Sequence, residues 1–163
     1  MILILDSSPL IYLGKTKILE KLEELKAKLI IPKIVYKEVV HTGKERGFED
    51  ALYIESLVNS RVFAVKEPKE KIADSNVTGI DEADIETLKL AKELGGIAVT
   101  DDEKVRNIAS IQDIQHAGSA FLIFLLVKNK IVKKSEAKSI FDKMIEHGWY
   151  CSTDFYSTII RSL

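Results

Sequence analysis

The sequence predicts an α/β fold with a mainly parallel central sheet of about five short strands. Three observations lead there. Short apolar runs recur at Ile2–Leu5, Leu29–Ile31, Val62–Val65, Ile97–Val99 and near Ile114–His116, and segments of helical periodicity separate them. The first and fourth runs are apolar throughout, as in strands buried on both faces. Both lead straight to acids: Asp6 follows Leu5, and Thr100 is followed by Asp101 and Asp102. Ligand sites in open α/β sheets form at the carboxyl ends of strands, so these acids stand at the edge where a site is expected.

Taken in order, Ser7-Ser-Pro9 opens a first helix after Asp6, with Ser8 as its N-cap and Pro9 at its first position, and Gly14 ends it. Ile18 to Leu25 reads as a second helix with Leu19, Leu22 and Leu25 on one stripe. Pro32 starts a helix over Lys33–Val40, which His41-Thr-Gly-Lys44 is expected to break. In that helix Glu38 falls in phase with Ile34 and Val35 and is expected to point inward. A buried carboxylate needs a partner, and either an ion pair or a cation site would supply one. A helix follows over Phe48–Val58, then the third strand, and the charged stretch Lys66–Gly79 reads as a surface connection.

Ile80-Asp-Glu-Ala-Asp-Ile85 leads into a helix that reaches Leu94 and closes on Gly95-Gly96. Acids early in a helix are favoured by its dipole, which accounts for three of them without a site. Phase separates them: Glu82 runs with Glu86, Lys89 and Glu93 on the solvated stripe, whereas Asp84 runs with Leu88 and Ala91 toward the core. Asp84 is therefore the candidate and Asp81 the reserve. Asp101 or Asp102 is placed to cap the helix 103–111, or to serve a site. Arg106, four residues beyond Asp102, is placed to pair with an acid or to meet a phosphate. Ser119 is the expected N-cap of an apolar helix over 120–128, and helices over Ser135–His147 and Ser152–Ile160 complete the chain. Trp149, Tyr150, Phe155 and Tyr156 read as core or contact residues rather than base-stacking platforms, and His116 and His147 lack metal-ligand spacing.

A chain of 163 residues fits a single domain. One cysteine excludes an internal disulfide framework and a zinc constellation, so a reducing cytoplasmic setting is expected. Met1–Leu5 lacks the basic start of a signal peptide, and no apolar run is long enough to span a membrane. A formal net charge of −1 argues against bulk electrostatic capture of nucleic acid. The candidate acids Asp6, Glu38, Asp84 and Asp102, with Asp101 adjacent, form an all-carboxylate set that selects Mg²⁺ or Mn²⁺ over zinc. A phosphatase of the haloacid type is disfavoured, since no acid stands two residues after Asp6.

The segments Asp6-Ser-Ser-Pro-Leu-Ile-Tyr-Leu13, Ile31-Pro-Lys-Ile-Val-Tyr-Lys-Glu-Val-Val40, Asp84 with the helix to Leu94, and Thr100-Asp-Asp102 with Arg106-Asn-Ile-Ala109 together resemble PIN-domain nucleases. The likeness is to the prokaryotic branch of VapC-like toxins and their relatives, over nearly the whole chain. It implies a PIN-like three-layer α/β/α sandwich over 1–163 with a C-terminal helical extension from about 135, a Mg²⁺- or Mn²⁺-dependent acidic site, and ribonuclease activity on RNA. It also implies a homodimer and, for toxins, an antitoxin partner; an RNA-maturation nuclease or an inactive regulatory module are the alternatives. By position, Asp6 corresponds to the first acid with Ser7 beside it, Glu38 to the second, Asp84 to the third, and Asp102 to the fourth through Thr100-Asp-Asp102. Asp101 takes the variable position as a further metal ligand, and Ser7, Thr100 and Arg106 are expected at the substrate. The crowded Asp81-Glu82-Ala-Asp84 departs from the single acid of many toxins, so Asp81 or Glu82 are alternatives to Asp84.

Overall fold

The computed structural model describes residues 1–69 and 79–163. Among the described residues five parallel strands, β1 (Ile2–Leu5), β2 (Lys28–Pro32), β3 (Ala64–Lys66), β4 (Ile97–Val99) and β5 (His116–Ala117), form one sheet in the order β3-β2-β1-β4-β5. Every pairing is parallel, with Leu3 beside Leu29 on one side and Ile97 on the other. Strand order runs outward from β1 in both directions, so the chain changes direction across the sheet between β1 and β4. That crevice is the switch point at which α/β sheets form ligand sites.

Side-chain alternation along the strands builds two cores. Leu3, Leu5, Leu29, Ile31 and Val99 pack on one face against the helices α1 (Ser7–Lys15), α4 (Glu49–Asn59), α7 (Ser119–Lys128) and α8 (Lys134–Glu146). Ile4, Ile30 and Ala98 pack on the other against α5 (Glu82–Leu94) and α6 (Glu103–Ile111). The result is the expected three-layer arrangement. The last helix, α9 (Thr153–Ser162), adds Ile159 to the first core. Among the described residues no helix is long and apolar enough to cross a membrane.

Several expected details differ. Leu19–Leu25 is a 3-10 helix, not an α-helix, though Leu19 and Leu22 still face the core. The helix after Pro32 does not break at His41: α2 (Lys33–Tyr36) continues through a π segment, Lys37–Thr42, into α3 (Gly43–Glu45). Gly43 is there for closeness rather than for a stop, since a Cβ on it would lie 2.8 Å from that of Ala51 on α4. The first helix begins at Ser7 with Asp6, not Ser8, as its N-cap residue. Gly118 is the N-cap of α7, and Ser119 is already helical. Part of the connection expected over Lys66–Gly79 lies outside the described residues.

The two glycines between α5 and β4 have separate tasks. Gly95 ends α5 with φ of 60°, a left-handed conformation that costs glycine little. Gly96 is buried, and a Cβ there would collide with the Ile4 side chain and lie 3.1 Å from the Ile2 carbonyl. Gly96→Ala is therefore expected to destabilise the protein by about 1–3 kcal/mol through overpacking beside β1, read as a lower urea midpoint.

Candidate active site

Asp6, Ser7, Glu38, Asp81, Asp84, Asp101 and Asp102 line one pocket of about 410 Å³ at the carboxyl edge of β1 and β4. The acids arrive from separate elements: Asp6 from the end of β1, Glu38 from the π segment, Asp81 and Asp84 from the start of α5, and Asp101 and Asp102 from the β4–α6 turn. No lysine, arginine or histidine is among the described lining residues.

Asp6 is the buried member, 6% exposed. Thr100, with no exposed surface, donates its hydroxyl to Asp6 Oδ2 at 2.9 Å and accepts the Asp102 N–H at 3.2 Å. Thr100 thus ties the ends of β1 and β4 together and is too deep to meet a substrate, contrary to the expected contact. The Asp6 side chain makes no cap hydrogen bond, so its carboxylate is free of the duty that an N-cap acid usually has. Burial raises its pKa from 3.8 to about 7, the Ser7 N–H and Thr100 hydroxyl oppose that rise, and the charges of Asp84 and Asp81 add to it.

Glu38 does not point inward. It is exposed, and its Oε2 accepts the Ser7 hydroxyl at 2.9 Å. The expected phase assumes a uniform α-helix, and the wider π turn breaks that register, leaving Val39 and Val40 to the core. Glu86 also departs from its expected solvated role, accepting the Ile34 N–H at the start of α2 at 2.9 Å.

Asp84 and Asp81 form a reciprocal capping box on α5, Asp81 accepting the Asp84 N–H at 2.9 Å and Asp84 accepting the Asp81 N–H at 3.0 Å. Burial pushes the Asp84 pKa up to about 6, the Asp81 N–H pulls it down, and the charges of Asp81 and Asp102 push it further up. Glu82 is exposed and is not among the pocket's lining.

Of the two acids after β4, Asp102 caps α6 through Oδ1, accepting from Lys104 N–H at 2.7 Å and Val105 N–H at 3.2 Å. Asp101 reaches across to α7, accepting the Ser119 N–H at 2.7 Å and its hydroxyl at 2.6 Å. A carboxylate at that helix start is favoured by the dipole as well as by the hydrogen bonds. Asp101→Ala is expected to cost about 1–2 kcal/mol of stability by uncapping α7, measured by urea unfolding. Arg106 turns back, its Nη1 donating to the Thr100 carbonyl at 3.0 Å, and does not line the pocket.

The lining also includes residues that the sequence reading does not assign to the site: Tyr12, and the turn Gly148, Trp149 and Tyr150. Trp149 is buried as expected, but Tyr150 is 88% exposed rather than packed. Among the described residues no group of three or more acidic, histidine or cysteine side chains stands close enough to hold one ion. The donor chemistry nevertheless suits a hard divalent cation, because the lining is rich in carboxylate oxygen and holds no cationic side chain among the described residues.

No curated protein matches the chain. A solved domain of a functionally unknown protein from Methanocaldococcus jannaschii DSM 2661 is 24% identical, over 72% of this chain and 89% of that one, with a TM-score of 0.49. A family model described as PIN domain matches residues 2–163. With that model spanning nearly the whole chain, the protein belongs to the PIN-domain family, whose members are in general nucleases.

Proposed function

We propose that the protein is an endoribonuclease that hydrolyses RNA phosphodiester bonds with Mg²⁺ or Mn²⁺. One observation carries this reading: the carboxylates of Asp6, Glu38, Asp84 and Asp102, brought by four separate elements, line one pocket with no cationic side chain among its described residues. These four residues would hold the ions. When bound, such ions lower the pKa of water and stabilise the departing oxygen of a phosphodiester. The chain's own groups orient the carboxylates: the Thr100 hydroxyl fixes Asp6, the Ser7 hydroxyl fixes Glu38, and the backbone N–H groups of Lys104 and Val105 fix Asp102. Asp101 is engaged by Ser119 and serves here to hold α7 against the site rather than as a principal ligand.

The test is cleavage of a single-stranded RNA by the purified chain in Mn²⁺ or Mg²⁺, abolished by EDTA and by Asp84→Asn. Cleavage that survives chelation would overturn the proposal. A second reading, a nucleic-acid-binding module without turnover, is favoured by the lack of a ready three-carboxylate group among the described residues. Binding of RNA without any cleavage in either ion would select it. Within the nuclease reading, a toxin of the VapC type with an antitoxin partner is supported by the ordered set of four acids. Induction of the parent, but not of Asp84→Asn, then arrests growth; an RNA-maturation enzyme causes no arrest.

A further inference from the structure

The acidic pocket also has an aromatic lining, supplied by the turn between α8 and α9. That turn is firmly held. Trp149 is buried with its ring centroid 6.0 Å from that of Phe141, and its backbone N–H donates to the Met144 carbonyl at 2.9 Å. Gly148, at φ 95°, donates to the Ile145 carbonyl at 2.9 Å, and its own carbonyl accepts the Tyr12 hydroxyl at 3.3 Å. From this fixed backbone Tyr150 projects into solvent, 88% exposed, more than any other large hydrophobic side chain among the described residues. So exposed a ring contributes little to folding, and stability alone does not account for its place at the pocket.

Electrostatics narrows the candidates. A net charge of −1 and an acidic pocket give RNA little to gain from counterion release. Stacking of a base on an aromatic ring does not depend on charge, and it needs a base whose face is free of its own neighbours. We infer that Tyr150 is a stacking platform for an unpaired nucleobase, which directs the pocket toward single-stranded RNA. The inference rests on the nucleic-acid reading of the site given above.

Trp149 is the single tryptophan and adjoins Tyr150 in sequence, so its emission is followed as the binding signal. Full-length protein carrying Asp6→Asn, to prevent cutting, is titrated in Mn²⁺ with a short single-stranded RNA and with a blunt RNA duplex. Adding Tyr150→Ala is expected to weaken single-strand binding roughly 5- to 150-fold, the range one stacked base is worth. Tyr150→Phe is expected to retain it, duplex binding is expected to be unchanged, and thermal melts are expected to coincide. Equal single-strand affinity with tyrosine and alanine, equal losses for both RNAs, or no single-strand binding by any variant would overturn the platform. Tyr150-dependent binding without cleavage by the protein that retains Asp6 removes the nuclease reading alone. Metal-dependent cleavage with Tyr150-independent binding removes the platform alone.

Discussion

Asp6→Asn is expected to lower the proposed RNA cleavage on the order of 10³-fold, since charge stabilisation by a metal ion held there would be worth several kcal/mol. The same protein is expected to be at least as resistant to urea as its parent at pH 8. Asparagine keeps a carbonyl oxygen for the Thr100 hydroxyl that Asp6 accepts at 2.9 Å, and removes a charge that burial disfavours. Loss of activity together with gain of stability separates a functional group from a structural one. A variant that cleaves as well as the parent removes Asp6 from the site, and a strongly destabilised one shows that the carboxylate is needed for folding.

The second large effect is on the pH dependence of stability in EDTA. The Asp6 pKa is 3.8 ordinarily and about 7 when folded, so the folded state binds the proton more tightly. The contribution is fully present below pH 3.8 and is lost as pH rises through about 7. A change of that size corresponds to on the order of 4 kcal/mol once Asp6 is fully ionised. Asp84, raised to about 6, acts in the same direction, and solvent screening of this half-buried group makes its share smaller. The difference in urea stability between parent and Asp6→Asn is the measurement, because it isolates Asp6 from the other carboxylates. It is expected to move against the parent from pH 4 to 8 and to shrink when Mn²⁺ is added. A difference that stays flat across this range contradicts the burial of Asp6 as a charged group.

The strands were legible because such short apolar runs are too brief to form a buried helix, and the acid that follows marks where the chain leaves the core. Ile2–Leu5 is β1 and Ile97–Val99 is β4, with their acids at one edge of the sheet. The start of α5 was legible for a similar local reason, since Asp81 and Asp84 bond to each other's backbone. What failed depended on contacts between distant segments or on departures from regular geometry. Glu38 lines the pocket with the other acids but is exposed rather than buried, because nothing in Lys37–Thr42 announces a π turn. Ser8 and Ser119 looked like caps, but Ser8 accepts the Asp101 N–H at 3.2 Å and Ser119 is held by the Asp101 carboxylate. Thr100 looked like a substrate contact, yet its partner is Asp6, 94 residues earlier. Tyr150 follows a buried tryptophan, and periodicity gives no sign that the next ring belongs to solvent.

The position of β1 in the middle of the sheet has a consequence for the chain as it is made. β2 follows β1 closely in sequence and covers one of its edges, whereas β4 covers the other only after β2, β3 and α5 have been made. Until then Ile2–Leu5 presents an open ladder to any stray strand, and the acids that follow β1 and β4 are not yet brought together. Slowing synthesis ahead of Ile97 would lengthen the time for which that edge stays uncovered and so raise the risk of aggregation.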